Sequence, residues 1–283
     1  MFNLHLVKIS LPVGKSMKII PVGDIHEDSE LCDLIRWNNF KRRCKEQDDD
    51  YTYYILMGDS NEFASTAERA ILANPKLHES MQKKFERDAN NNNNKFISGI
   101  SFMTDKVLGV MEGNHRWDFK DGTTSDQRIA KALNSKFLGS LCLIRLAITQ
   151  SGRTVNVDIV AHHGLAGGSS AGATLNQIDK LRKIFPIADI YFMGHSHDRG
   201  IWPKSTLVLQ NSGRRGNMIV KQKRQLLCRT GSFLCGYVDG EESYVADRLY
   251  PPCELGTIKL EIKLKRERVG GSETTTADIH GTV

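Results

Sequence analysis

Four mostly apolar runs along the chain each stop at a polar tip: MKIIPVGD (17–24), YTYYILMGD (51–59), KVLGVMEGN (106–114) and ADIYFMGH (188–195). Apolar runs of this length that do not alternate predict strands buried on both faces. Residues 141–149 and 154–161 alternate and predict half-buried strands, while 4–10 and 17–22 read as a strand pair around the turn Pro12–Lys15. Helices are predicted at 29–45 (capped by Ser29, with Leu31, Leu34, Ile35 and Asn38 on related turns), 64–88, 96–104, 125–135 and 174–185. Asn90 to Asn94 reads as a surface loop or helix break, because asparagine competes with helical backbone for its hydrogen bonds. From 205 to 262 the pattern is strand and turn alone. Strands alternating with helices first, then strands alone, predict an α/β fold of two packed sheets with helices outside. One domain over 1–266 is expected, followed by a disordered Gly-, Ser- and Thr-rich tail at 267–283.

Composition narrows the class. A chain of 283 residues with 40% hydrophobic and 25% charged content can bury a core of its own. The net charge of +6 favours a phosphate-bearing partner but is modest for a dedicated nucleic-acid binder. The basic stretch from Arg214–Arg215 through Lys221, Lys223 and Arg224 therefore reads first as the solvated face of a hairpin. No run is long and apolar enough to span a bilayer, so no membrane association and a cytoplasmic location are expected. The six cysteines form no CxxC pair, which argues against a zinc ribbon or a disulfide framework.

The chemistry lies at the strand tips: VGDIH (22–26), MGDSNE (57–62), MEGNH (111–115), VDIVAHHG (157–164) and MGHSH (193–197). Six of the nine histidines fall in these five segments. Ligands bind at such carboxyl ends of strands in α/β folds. Asp-x-His and His-x-His on extended backbone present both side chains to one face. Imidazole and carboxylate together suit Mn, Fe, Ni or Zn, and a carboxylate such as Asp59 can bridge two ions. Neighbouring residues on a strand face opposite ways, so one of His162 and His163 is expected to bind. The residues leave the choice open. His5, His78 and His280 lie outside the tips and are read as satisfied core histidines, and Trp117, Tyr237 and Tyr244 as core packing.

In these blocks the sequence resembles the calcineurin-like metallophosphoesterases. The family pattern appears as Asp24–Ile25–His26, Gly58–Asp59–Ser60–Asn61–Glu62, Gly113–Asn114–His115–Arg116, His162–His163 and Gly194–His195–Ser196–His197, in order over about two thirds of the chain. The resemblance implies a four-layer α/β/β/α sandwich. It implies two divalent metal ions, with Mn²⁺ expected and Fe, Ni or Zn as alternatives. Asp24, His26 and His197 would hold the first ion, Asp59 would bridge, and Asn114, His195 and one of the 162–163 pair would hold the second. His163 precedes Gly164 as in many His-Gly members, which favours it. His115 would protonate the leaving oxygen or stabilise the phosphoryl charge. Two positions depart from the pattern: Arg116 replaces the acid that supports the catalytic histidine, and Glu62 replaces an Asp. Another group would then orient His115, and Arg116 would be available for substrate phosphate.

The implied reaction is hydrolysis of a phosphoester by metal-activated water, with a phosphodiester (nucleotide, cyclic nucleotide or nucleic acid) preferred to a monoester. A DNA nuclease, a protein or small-molecule phosphatase, and a non-catalytic partner-binding scaffold are the alternatives. Oligomeric state is left open, a homodimer included. The Gly164–Gly172 stretch reads equally as an active-site loop and as a connector.

Overall fold

The computed structural model describes all residues except 64–68, 70–77, 166–169, 213–216 and 270–271. Two six-stranded mixed sheets form the centre. The first runs β1 (Phe2–Ser10), β6 (Leu141–Gln150), β7 (Arg153–His162), β8 (Ile190–Met193), β10 (Asn217–Thr230), β9 (Arg199–Ser212). The second runs β12 (Ser272–Thr282), β11 (Lys259–Val269), β2 (Met17–Val22), β3 (Thr52–Leu56), β4 (Val107–Met111), β5 (Phe137–Gly139).

Three apolar clusters define the layers. Ile19, Ile55 and Leu260 of one sheet pack against Ile144, Ile159 and Phe192 of the other. On the outer face of the second sheet lie α1 (Leu34–Glu46), α2 (Glu79–Gly99) and α3 (Ser125–Ala132), through Trp37, Phe96 and Ile129 against Tyr54 and Val110. On the outer face of the first lies α4 (Ala171–Ile184), through Ile178 and Leu181 against Val160, Tyr191 and Leu227. The result is the four-layer α/β/β/α sandwich. A short helix, α5 (Tyr244–Asp247), interrupts the region expected to be strand and turn alone. Among the described residues no helix is long and apolar enough to cross a membrane.

Several expectations need correction. The strands of the N-terminal pair do not pair with each other: β1 joins β6 and β2 joins β3, in different sheets. Helix α1 starts later than predicted, with the Asp33 carboxylate accepting from the Arg36 amide at 2.8 Å. Ser29 does not cap it: residues 29–32 form a turn, with the Cys32 amide donating to Ser29 O at 3.1 Å, before Asp33 starts the helix. The asparagine run sits inside α2, where Asn90 accepts from Arg128 at 2.8 Å and Asn92 donates to Asp28 at 2.9 Å. These tertiary partners absorb the amides that would otherwise compete with the helical backbone. Helix α2 also takes in the start of the predicted 96–104 helix, whose remainder is a 3-10 turn at Ser101–Met103. Of the predicted 64–88 helix, only Arg69 and 78–88 lie within the described residues.

The tail is not disordered. Residues Ser272–Thr282 pair antiparallel with β11, and Ile279 and Ala277 pack against the core, so the alternation TTTADI is a strand pattern. Tyr237 and Tyr244 are exposed rather than in the core. The histidines outside the tips are not core residues either. His78 caps α2 through its Nδ1, His280 faces Asp278 in the open, and His5 is half-buried. Arg214–Arg215 lie outside the described residues, while Lys223 pairs with Asp189 at 2.8 Å.

Candidate metal centre

The carboxyl ends of β2, β3 and β4, parallel neighbours in one sheet, meet those of β7 and β8 in the other. Beyond β2 and β3 the chains stay paired, with the Asp24 amide donating to Gly58 O (3.1 Å) and the Ile25 amide to Asp59 O (2.8 Å). The tips are thus fixed by backbone before any side chain acts. Their conformation is costly. Asp24 (φ 49°), His26 (51°), Asp59 (48°), His195 (65°) and His197 (60°) are five of the nine described non-glycine residues with left-handed backbone. Each such residue costs on the order of 1–3 kcal/mol, and such strain concentrates at functional sites. Glycine at 113 and 194 is a steric requirement: a Cβ would come within 2.2 Å of Asp59 Oδ1 at the first and 2.5 Å of Asp24 Oδ2 at the second.

Three donor groups emerge, two without a common residue and a third, His26, Glu62 and His115, that shares His26 with the first. Asp24, His26 and His197 each bring one donor atom within 4.8 Å of the others, and so do Asp59, His163 and His195. Asn114 joins the second group, its Oδ1 lying 2.7 Å from His163 Nε2. Of the histidine pair, the structure brings His163 into the group and leaves His162 out. His163 Nδ1 is fixed on Met57 O at 2.7 Å and Nε2 lies 3.1 Å from Asp59 Oδ2. His162 turns back, its Nδ1 accepting from the Gly164 amide at 2.9 Å. Of the 164–172 stretch, 166–169 lie outside the described residues, and α4 begins from a Ser170 cap.

The electrostatics differ between the groups. Burial pushes the Asp24 carboxyl up to about 6, against the pull of His163. Burial pushes the His197 ring down to about 3 and the His195 ring down to about 4, so both are neutral donors at pH 7. Burial also opposes charge on Asp59 and His163, but their mutual attraction outweighs it: Asp59 is held well below the carboxylate range and His163 is pushed up to about 10.

These residues fit divalent metal ions. The donors are the mixed nitrogen and oxygen set such ions take, and buried His26 Nε2 has no hydrogen-bond partner. Histidine ligands commonly donate their second nitrogen to a carboxylate, and His26 Nδ1 lies against Glu62 Oε2.

Glu62, one of the two departures from the family pattern, does more than support a ligand. Its other oxygen is 2.6 Å from His115 Nδ1, so one carboxylate orients both histidines. The orienting acid absent at position 116 is supplied from position 62. Those two histidines hold Glu62 at about 2 although burial opposes it. Arg116 pairs instead with Glu112 (2.9 Å) and Asp118 (3.1 Å) and donates to Gly113 O (3.3 Å). Its guanidinium therefore braces the loop carrying His115.

Sequence reasoning missed three supports. Asp126, buried at the start of α3, accepts from the Gly113 amide at 2.9 Å. Arg229, fully buried, donates to Gly194 O at 2.9 Å and Gln177 Oε1 at 2.9 Å, holding the His195 loop. A charge ending the apolar run LLC (226–228) was the available signal. Arg69 donates to Asn114 O (2.7 Å) and Arg116 O (3.1 Å), and nothing local marked it.

No protein-family model matches this sequence and no curated protein matches it. Several solved structures are similar in shape, among them the following three. A conserved uncharacterized protein and predicted phosphoesterase from Streptococcus pneumoniae TIGR4 has 14% identity and a TM-score of 0.36, over 93% of this chain and 99% of that one. Vacuolar Protein Sorting 29 from Cryptosporidium parvum has 10% identity and a TM-score of 0.40, over 94% and 99%. Vps29 from Entamoeba histolytica, complexed with Zn²⁺, has 9% identity and a TM-score of 0.34, over 93% and 99%. At these scores the likenesses add no weight to the chain's own layers and ligand groups.

Proposed function

We propose that the protein is a divalent-metal-dependent phosphoesterase acting on phosphodiesters. The supporting observation is the meeting of two three-residue ligand groups beside a histidine oriented by a carboxylate. Asp24, His26 and His197 would hold one ion; Asn114, His163 and His195 would hold a second; Asp59 would be shared. Mn²⁺ suits the donors, with Fe, Ni or Zn as alternatives. When bound, such a pair clamps phosphoryl oxygens and supplies a water that is nucleophilic at neutral pH.

The chain's own residues do the remaining work. Glu62 takes His115 Nδ1, which leaves Nε2 as the ring nitrogen that can hand a proton to the leaving oxygen. Asp126 and Arg69 fix the backbone on either side of His115, and Arg229 fixes the loop of His195. The cations near His115 have carboxylate partners, Arg116 on Glu112 and Asp118, and Arg69 on Asp118. With both guanidiniums paired to carboxylates, neither is left to meet the second negative charge of a monoester dianion, which supports the diester.

The test is turnover of bis-p-nitrophenyl phosphate and p-nitrophenyl phosphate with added Mn²⁺. Faster cleavage of the diester is expected. Failure to cleave either, with no metal found by elemental analysis, would overturn the reading.

A further inference from the structure

The loop that carries His115 also forms a wall of a second feature. Beyond it lies a cavity of about 230 Å³ between the start of α2 and residues 117–120. Pockets for whole ligands span roughly 300–1,000 Å³, so this one suits a single ring system. Two aromatic side chains, Phe85 and Trp117, line it, with Gln82 beside them. Trp117 is held edge-on by Phe63, ring centres 6.5 Å apart. The Phe63 amide in turn donates to His115 O at 3.3 Å. Arg69, a third wall, donates to the carbonyls of Asn114 and Arg116, the residues on each side of His115.

Charge decides what kind of group belongs there. The cavity's two cations face its two acids: Arg69 lies 3.5 Å from Asp118, and Lys120 lies 3.8 Å from Glu86, which also accepts from the Lys120 amide at 3.0 Å. Among the described residues the lining carries no net charge to attract a phosphate. It does offer the faces of Phe85 and Trp117, the surface on which a nucleobase stacks.

We propose that this cavity is a base subsite, taking the nucleobase on the leaving-group side of a nucleotide phosphodiester while His115 serves that group's oxygen. The proposal rests on the phosphodiester reading and names its substrate class, a nucleotide ester.

Calorimetric titration of the metal-loaded protein with adenosine 5′-monophosphate and with ribose 5-phosphate tests it. The two ligands share the phosphate and differ in the base, and stacking on an aromatic ring is worth about tenfold or more in affinity. The expected result is an adenosine 5′-monophosphate Kd at least about tenfold lower, with the gap lost in both Trp117→Ala and Phe85→Ala. Equal Kd values in the wild-type protein would overturn the proposal, and this comparison needs no variant to fold. A gap that survives both substitutions would also overturn it, since the base would then bind elsewhere. The titration requires no turnover. A base-dependent gap in a protein that cleaves neither nitrophenyl ester would sink the enzyme reading alone; diester cleavage without the gap would sink the subsite alone.

Discussion

The two ligand groups are built from the same residue types but balanced differently. In the second, Asp59 and His163 stand 3.1 Å apart and attract each other as a charged pair while no ion is bound, and His163 must give up its proton to take a metal. In the first, the nearest approach of Asp24 to His197 is 3.7 Å, the His197 ring is kept neutral by burial, and the Asp24 carboxyl is raised to about 6. Its histidine His26 relies on Glu62, a carboxylate it shares with His115. The second group is thus bound into the core, while the first is tied through Glu62 to His115. The difference assigns different consequences to damage in each.

Removing the ions is the largest perturbation. Chelation should abolish turnover, and Mn²⁺ should restore it. Asp59→Ala should lower metal stoichiometry in both groups, whereas Asp24→Ala should leave the second group loaded; equal stoichiometry in the two variants would erase the contrast. Next, His115→Ala should lower kcat by about 10²–10⁴ while sparing metal content, and lost metal would show that His115 does not lie outside the ligand groups. Glu62→Gln should cost about 10–100-fold, the scale for groups that orient metal-bound histidines. Elemental analysis should find partial rather than complete metal loss, and unchanged metal with unchanged kcat would remove Glu62 from both roles.

The smallest effect concerns Asp126. Burial raises its carboxyl to about 7 from an ordinary value of 3.8, against the pull of the Gly113 amide. Between those values the folded protein holds a proton that the unfolded chain has lost, so stability falls as pH rises through that window. Asp126→Asn keeps an acceptor for the Gly113 amide and removes the titration. The wild-type Tm should therefore fall more than the variant's between pH 5 and pH 8. Parallel slopes would mean that Asp126 contributes no such dependence.

Much of this was legible before folding. Apolar runs ending in VGDIH, MGDSNE, MEGNH and MGHSH marked both the buried strands and their tips, because burial on both faces demands unbroken hydrophobicity and a ligand demands polarity where the sheet ends. The asparagine run and the tail misled for a common reason. Local propensity disfavoured order in each, yet Arg128 and Asp28 in one case, and the β11 ladder in the other, satisfied the groups that propensity counts as unpaired.

Residue order alone determined which chemistry could be assembled: the donor types, their spacing of two, and the glycines that let tips approach. An extended-strand reading does not foresee the left-handed backbone that carries those donors. Tertiary structure decided the rest. It selected His163 over His162, since only contact with Asp59 and Asn114 separates two adjacent imidazoles. It gave His115 its carboxylate from position 62, brought up by a neighbouring parallel strand, and it committed Arg116 to Glu112 and Asp118. These choices depend on distances across sheets, which no local pattern encodes.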